Sequence, residues 1–339
     1  MIDTVNVGAA EWLNFVSAQA EATPFHHPSW ARVVSEVYAF ESRAVVWRDG
    51  NGEIAAGLPA IRVPSLGRRA QWKCLPFTDE CGPLGSSSSV RSLMNSLRGS
   101  PHEEWEVRDA VPTLGAVRPV AVRHRLDLRA GADAVYRGFH RSQVQRALRK
   151  ADREGLVNVR QADDEADLTV TYYTLHVATR KRQGLPPQPR RLFKAIWRQM
   201  HTTGLACTRL AEIGGQPVAG AMFLTWNGKL IYKYGASLAE HWRARPNHMI
   251  FWDVIRDGCE QGIERLDLGL TDATNSGLRA FKSNWGAREE PLAYTYSRRV
   301  TQPHNSGHSR AAAAVGTAIR HSPPRVCELI GDALYRFAA

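Results

Sequence analysis

The segment from Gly277 to Gly286 carries the residue types best suited to chemistry. A strand predicted to end at Gly269 is followed by five candidate side chains: Asp272, Asn275, Arg279, Phe281 and Lys282. Ligands of α/β proteins usually bind at the carboxyl ends of strands, and a lysine there can polarise an ester carbonyl or stabilise an oxyanion. The alternative is that Phe281 and Trp285, one helical turn apart, belong to the core while Lys282 is solvated.

A second candidate site lies where a predicted strand, Tyr232–Ser237, leads into the segment Arg243–His248. Helix N-termini bind phosphate or carboxylate through their free N–H groups, and Arg243 and Arg245 favour an anionic ligand. Pro246 suits the first turn of the helix that follows. An ordinary helix start with exposed arginines is the alternative.

Asp79 is a candidate base for an amine, because its carboxylate lies in the apolar loop Pro76–Leu84. The same residue could simply stabilise a turn.

Two basic segments could contact phosphates. The predicted helix Ser142–Glu154 carries Arg146, Arg149, Lys150 and Arg153 on one face, which could bind RNA or be a solvated surface. The cluster Thr179–Arg182 precedes the turn Gly184–Pro187. It could recognise a phosphate, or its positive charge could favourably end a helix.

The chain has 339 residues and a formal net charge of +11, with arginine in excess. Such a charge favours nucleic acid, phosphorylated substrates or acidic lipid as partners, although arginine-rich chains also come from GC-rich genomes. Five scattered cysteines without a CxxC pair argue against a zinc or thioredoxin-type site. With no signal peptide and no apolar run of about 18 residues, we expect a soluble, cytoplasmic protein without metal or cofactor.

The chain is long enough for two domains. Apolar periodicity and turn residues predict helices over 9–19, 30–38, 89–97, 142–154, 164–181, 189–201, 246–262 and 276–284. Strands are predicted over 43–47, 53–63, 69–75, 104–108, 120–128, 157–161, 264–269 and 291–298, with a three-stranded meander in 207–237. Similar segments, Gly52–Gly57 and Gly215–Gly220, each open a strand pair followed by a loop and a helix, which suggests an internal duplication.

The C-terminal tail is predicted to form helices over 311–320 and 325–337. An apolar stripe in the second comprises Val326, Leu329, Ile330, Ala333, Leu334 and Phe337. The stripe would pack on the domain or on a second subunit. The alternative is an interfacial membrane anchor, since Arg325 and Arg336 flank it.

Taken together, these segments resemble the FemABX-type family over about residues 25–298. The residues that carry the resemblance are Phe25, His27-Pro28, Trp30, Leu75-Pro76-Phe77, Asp79, Cys81-Gly82-Pro83-Leu84, Thr179-Arg180, Gly184-Leu185-Pro186, Tyr234-Gly235-Ala236-Ser237, Arg245-Pro246-Asn247, Asp267-Leu268-Gly269, Thr271-Asp272, Asn275, Gly277-Leu278-Arg279, Phe281-Lys282 and Trp285-Gly286.

The resemblance implies an α/β (α+β) fold of two tandem GNAT-like domains with mixed central sheets and a C-terminal helical tail. We expect these domains at 1–140 and 141–300, with the tail at 301–339. The family's Phe-Lys pair falls on Phe281 and Lys282, where the lysine would stabilise the carbonyl oxygen under attack. Asp79 falls on the carboxylate of the first-domain loop.

The resemblance further implies transfer of an amino acid from aminoacyl-tRNA to an amine. The acceptor would be a small-peptide, nucleotide-linked or lipid-linked precursor of peptidoglycan or of a peptidyl antibiotic. Residues assigned to substrate binding are Arg180, Tyr234, Arg245, Asn247, Asp272, Asn275 and Arg279, with the basic face Arg146, Arg149, Lys150 and Arg153 assigned to tRNA. The chain lacks the long coiled-coil insertion of some cell-wall members, which weakens a direct analogy with their tRNA docking.

Two alternatives belong to other function classes. The first is an acyl-CoA-dependent N-acyltransferase of polysaccharide or lipid metabolism on the same fold. GNAT enzymes cradle the CoA pyrophosphate in a glycine-rich turn, whereas Arg243–His248 contains no glycine, so side chains would crowd the phosphate. The second is an inactive scaffold of polysaccharide export that touches the inner membrane face through its C-terminal helix.

Overall fold

A computed structural model of the chain describes residues 1–63, 71–100, 103–298 and 310–335. Two expectations fall partly outside these ranges: the strand predicted over 69–75, and the tail expected at 301–339, including Arg336 and Phe337. Among the described residues, no helix combines the length and the apolar character needed to cross a bilayer.

The chain divides between Val122 and Arg123 into two units. The first unit comprises Met1–Val122 and the segment that begins at Pro291. The second comprises Arg123–Glu290 and the C-terminal helices. These units differ from the expected domains at 1–140 and 141–300. The tail groups with the second unit because its helices pack on that unit.

The first unit is built from a mixed sheet and three helices. Its strands are β1 (Ile2–Val5), β2 (Glu41–Arg48), β3 (Ile54–Val63), β4 (Gln71–Lys73), β5 (Leu84–Gly85), β6 (Glu104–Val107) and the first part of β7 (Ala116–Asp127). Its helices are α1 (Ala10–Ser17), α2 (Pro28–Tyr38) and α3 (Ser87–Gly99). The sheet is mixed because β2 and β3 pair antiparallel while β4 and β6 pair parallel.

The second unit places helices around a second run of strands. The strands are β8 (Asn158–Gln161), β9 (Ala206–Ile213), β10 (Gln216–Trp226), β11 (Lys229–Ser237), β12 (Arg265–Thr271) and β13 (Arg288–Tyr296), whose last residues return to the first unit. The helices are α4 (Ala132–Gly138), α5 (Arg146–Glu154), α6 (Tyr173–Gln183), α7 (Arg190–Ile196), α8 (Pro246–Glu260), α9 (Ser276–Asn284), α10 (Arg310–His321) and α11 (Pro324–Leu334). Within this unit the strand order is β7-β12-β11-β10-β9-β8.

Local chemistry explains where several elements begin. The predicted hairpin turn holds, since Asn227 and Gly228 both have positive φ, 53° and 67°, as a type I′ turn requires. Two helices begin before the predicted residues 30 and 89. His27 accepts the first free N–H of α2, so that helix starts at Pro28. Ser86 caps α3, which starts at Ser87.

The core of the second unit packs α8 and α9 against the central strands. Phe223, Phe251, Leu266 and Trp285 belong to one buried cluster. Trp285 is fully buried, which confirms its assignment to the core.

The tail helix α11 packs on α6, but not through the predicted stripe. Its buried residues are Cys327 and Gly331, whereas Leu329 is 69% exposed. The face of α11 that packs on α6 is therefore not the apolar stripe. The residues on that face are small, and this allows the two helices to approach closely. A Cβ on Gly331 would lie 2.1 Å from the carbonyl oxygen of Pro187.

The coarse fold class expected from the sequence is confirmed: an α/β protein with mixed strand pairing and C-terminal helices.

Candidate functional site

The two parallel strands β11 and β12 separate before they end. Their paired residues run from Lys229 and Arg265 to Ile231 and Asp267, yet β11 continues to Ser237 and β12 to Thr271. Beyond the last pair, the facing main-chain groups must find other hydrogen-bond partners. The carboxyl ends of these strands are therefore not paired with each other, and we call the region between them the β11–β12 cleft.

The Lys282 side chain reaches the carboxyl end of β12 from α9. Its Nζ donates hydrogen bonds to the carbonyl oxygens of Gly269, at 2.8 Å, and Leu270, at 3.1 Å. The residue is only 4% exposed, which decides against a solvated lysine. An amino group held between main-chain carbonyls at the end of a strand is suited to bind an oxygen that gains negative charge.

Phe281 lies half-buried beside an aromatic group. Its ring centroid is 5.9 Å from that of His248 and 6.0 Å from that of Phe251, both on α8. Burial lowers the pKa of His248 to about 4, with Arg245 adding to the effect. The aromatic group around Phe281 is therefore uncharged at neutral pH. It can exclude water from Lys282, the next residue in the chain.

His124 on β7 is a buried titratable group that the sequence analysis did not select. Its Nε2 lies 3.2 Å from a carboxylate oxygen of Glu289, and its side chain is fully buried. Burial lowers the pKa of His124 and the positive charge of Lys282 lowers it further, while Glu289 opposes both effects. The inward-facing position of His124 in the strand predicted over 120–128 could have identified this histidine. No feature of the sequence pointed to Glu289.

Three residues assigned to substrate binding are engaged in local structure around α9. Arg279 forms a two-pronged ion pair with Glu289, at 2.7 and 2.8 Å. Asn275 accepts a hydrogen bond from the Leu278 N–H and caps the helix. Asp272 accepts from the N–H and hydroxyl of Thr274. These contacts fix the start of α9 and hence the position of Lys282.

Ser237, at the end of β11, joins the second candidate site to the cationic cluster Thr179–Arg182, which the sequence analysis treated separately. Its main-chain N–H donates to Thr179 Oγ1, at 2.9 Å, and its carbonyl oxygen accepts from Arg182, at 2.8 Å. Its hydroxyl accepts from Asn247, at 3.4 Å. The cationic segment of α6 and the first turn of α8 thus meet at one edge of the β11–β12 cleft.

The remaining residues assigned to this edge differ in their surroundings. Arg245 is exposed. Its backbone lies in the left-handed region, with a φ of 63°, directly before α8. Tyr234 contacts His176 and Phe193, with ring centroids 6.1 and 5.9 Å away. Arg180 donates to the carbonyl oxygen of Pro186, at 3.1 Å, and to the Tyr335 hydroxyl, at 3.0 Å. Arg180 therefore anchors the tail, and its role toward a substrate stays a prediction.

The predicted basic face is present on α5. Its four cationic residues are exposed: Arg146, Arg149, Lys150 and Arg153. Ala147, Leu148 and Ala151 form the buried side of the same helix. Lys150 forms an ion pair with Glu154, 3.6 Å away on the same helix. The face is thus available for an anionic partner.

Asp79 belongs to the first unit, whereas Phe281 and Lys282 belong to the second. The main chain of its loop is fixed: Thr78 Oγ1 donates to the Leu75 carbonyl, at 2.6 Å, and the Tyr294 hydroxyl donates to the Asp79 carbonyl, at 2.9 Å. Leu75 and Phe77 hold positive φ values of 35° and 63°. Non-glycine residues rarely adopt this conformation, and it is frequent at functional sites. The role of Asp79 as a base stays a prediction.

Comparison with known proteins agrees with this geometry. Residues 138–283 match the model of a family described as an acetyltransferase (GNAT) domain. No curated protein is recognisably similar in sequence. Among solved structures, the chain resembles FemX with a TM-score of 0.69 and 14% identity, over 88% of this chain and 97% of that one.

Two further structures show the same arrangement. One is the C-terminal domain of a putative lysylphosphatidylglycerol synthetase from Agrobacterium fabrum, with a TM-score of 0.55 and 13% identity over 91% of this chain and 95% of that one. The other is a protein of unknown function from Bacteroides thetaiotaomicron, with a TM-score of 0.57 and 11% identity over 87% and 99% of the two chains. The chain therefore has a FemABX-like GNAT fold, and the match to the GNAT domain model lies within its second unit.

Proposed function

We propose that the protein is an aminoacyl transferase, which moves an amino acid from aminoacyl-tRNA to an amine and forms a peptide bond. The observation that carries the proposal is the buried Lys282 amino group, bound to two carbonyl oxygens at the carboxyl end of β12. GNAT enzymes and aminoacyl transferases both pass through a tetrahedral intermediate, so both need a donor of this kind for the oxyanion.

The reaction needs little beyond positioning, because the tRNA ester is already activated. The acceptor nitrogen attacks the ester carbonyl, and negative charge develops on the carbonyl oxygen, where Lys282 would stabilise it. The carbon–oxygen bond to the ribose then breaks, and the ribose oxygen leaves with the proton that the amine gives up. The aromatic group around Phe281 would keep water from competing with the amine.

An RNA donor is supported by charge. The basic face of α5 is exposed, and the whole chain carries a net charge of +11, which favours a polyanionic partner. The acceptor would be the amine of a peptidoglycan precursor or of a natural-product intermediate, linked to a peptide, nucleotide or lipid.

The second candidate is an acyl-CoA-dependent N-acyltransferase, which the acetyltransferase description of the matching family favours. The start of α8 argues against it. Arg245 and Pro246 stand at the helix start, where a CoA cradle would present glycines and free N–H groups. Proline has no N–H, and the other side chains crowd a pyrophosphate.

The test is to incubate the purified protein with pools of radiolabelled aminoacyl-tRNA and, separately, with radiolabelled acetyl-CoA, each with a panel of amine acceptors. We expect label on an amine acceptor only from the tRNA pools. Pretreatment with RNase should abolish that transfer, because it destroys the donor.

Two outcomes would contradict the proposal. Transfer that survives RNase pretreatment would exclude an intact tRNA donor. Saturable transfer from acetyl-CoA, with none from any tRNA pool, would establish the second candidate instead.

A further inference from the structure

Trp242 is an exposed aromatic residue in the short 3-10 helix Ala239–Ala244, which connects β11 to α8. Its side chain is large and apolar, yet the residue is 47% exposed. Single exposed apolar residues are common on protein surfaces. The surroundings of this one set it apart, because the ring is both fixed and flanked by cations.

The indole is held in one orientation by two contacts. Its Nε1 donates to the Ser237 hydroxyl at 2.9 Å, and the Arg182 guanidinium lies 5.0 Å from the ring centroid. Arg182 is itself anchored to the Ser237 carbonyl at 2.8 Å. A ring fixed in this way loses little conformational entropy when a flat ligand stacks on it.

Three cationic residues lie near Trp242 in space or in sequence, against one carboxylate, Glu240, in the same short helix. Arg182 lies beside the ring, and Arg243 and Arg245 follow it in the chain and are exposed. Aromatic rings interleaved with cations are the arrangement by which proteins bind single-stranded nucleic acid: the ring stacks on a base and the cations bind the backbone phosphates.

We propose that Trp242, with Arg182, forms a stacking site for an unpaired base at the 3′ end of an RNA. This inference rests on the proposed function, since the 3′ end of tRNA is the part that carries the amino acid. Trp242 lies in the short helix after β11 and is bound to Ser237, the last residue of that strand, so a base stacked on it is bound at the carboxyl end of β11. Arg243 and Arg245 then bind the phosphates on either side of that base.

The test compares two RNA hairpins of equal stem length, one with an unpaired 3′ ACCA end and one with a blunt end. Fluorescence anisotropy measures the binding of each to the wild type, to Trp242→Ala and to Trp242→Phe. Trp242→Ala should weaken binding of the ACCA hairpin by about tenfold or more, because one stacked base is lost. Trp242→Phe should retain most of the affinity, and the blunt hairpin should bind equally to all three.

Val170→Ala is the control, since Val170 is another exposed apolar residue of the second unit, at 53% exposure. It should not change the affinity for either hairpin, and melting temperatures check that every variant is folded.

An unchanged affinity of Trp242→Ala for the ACCA hairpin would overturn the inference. Equal weakening for both hairpins would do the same, because the residue would then act through general electrostatics or structure. Displacement of the ACCA hairpin by CoA would assign the site to the adenine of CoA instead. If the wild type binds neither hairpin, the proposed function fails and the stacking site fails with it. If the wild type transfers amino acids from tRNA while Trp242→Ala binds normally, only the stacking site fails.

Discussion

Lys282 is buried and hydrogen-bonded to main-chain carbonyls. A surface lysine such as Lys194 does not need such partners, because its amino group is exposed to water. The side chain of Lys194 is 55% exposed and lies 3.5 Å from Glu165. Burying an amino group costs free energy unless it is hydrogen-bonded, and Lys282 meets this condition through the carbonyls of Gly269 and Leu270. Its position is thus defined by the strand end where the reaction is proposed to occur.

Lys282→Met should reduce the rate constant for transfer by about 100-fold to 1,000-fold, as is typical when one oxyanion donor is removed. Methionine keeps much of the side-chain volume and removes the charge. The measurement is the single-turnover rate with saturating donor, with circular dichroism to check the fold. Lys194→Met serves as the control and should transfer at the wild-type rate. A normal rate in a folded Lys282→Met variant would remove Lys282 from the mechanism.

The strand β11 is shaped by an extra residue. Met222 on β10 pairs with Tyr234, whereas the next residue, Phe223, pairs with Tyr232, so Lys233 is a bulge. A bulge bends its strand and shifts the faces of the residues around it. As a result, Tyr232 contacts Phe251 on α8, while Tyr234 contacts His176 on α6. Beyond the last pair with β12, this bent part of β11 forms one side of the cleft.

Gly235→Ala should disrupt this part of β11. A Cβ at Gly235 would lie 1.7 Å from the Tyr232 hydroxyl oxygen, and that ring is packed against Phe251. We expect a loss of about 1–3 kcal/mol in the free energy of unfolding, as for overpacking elsewhere, measured by urea denaturation.

Two variants make this measurement specific. Tyr232→Phe in the Gly235→Ala background should restore part of the loss, because it removes the clashing oxygen. Gly258→Ala should stabilise α8 slightly, since its Cβ would lie at an ordinary 3.5 Å from Leu128. Equal stability of Gly235→Ala and the wild type would show that β11 can relax around the added methyl group.

At the scale of the whole molecule, several histidines lie buried or half-buried in their neutral form. Burial is the largest cause of the lowered pKa in each case, to about 4 for His27 and His201 and to about 3 for His176. In the unfolded chain these groups have a pKa of 6.5. Below that pH the unfolded state therefore binds more protons than the folded state, and folding becomes less favourable.

The melting temperature should accordingly be nearly constant from pH 8 to about 7 and should fall as the pH is lowered from about 6.5 toward 4. Differential scanning calorimetry in buffers of equal ionic strength measures it. His176→Phe keeps an aromatic ring and removes one titrating group, so its melting temperature should fall less steeply. A melting temperature that rises or stays level on acidification through this range would contradict the assignment of neutral buried histidines.

Local sequence determined much of the fold. The helix predicted at 276–284 forms as α9 with the same bounds, and the Asn227-Gly228 hairpin adopts its expected turn. Such features depend on interactions within a few residues, such as capping, turn conformation and apolar spacing, so they can be inferred without knowing the rest of the chain. The elements α4, β1 and β5 were not predicted, because they are short and carry weak local signals.

Tertiary structure alone decided the surroundings of the candidate site. The sequence identified Lys282 and its position after a strand, but not its burial or its two carbonyl partners. The contact of His124 with Glu289, and the meeting of Thr179, Arg182 and Asn247 at Ser237, also required the folded chain. These contacts join residues far apart in sequence, and no local pattern specifies which distant side chains a fold brings within hydrogen-bonding distance.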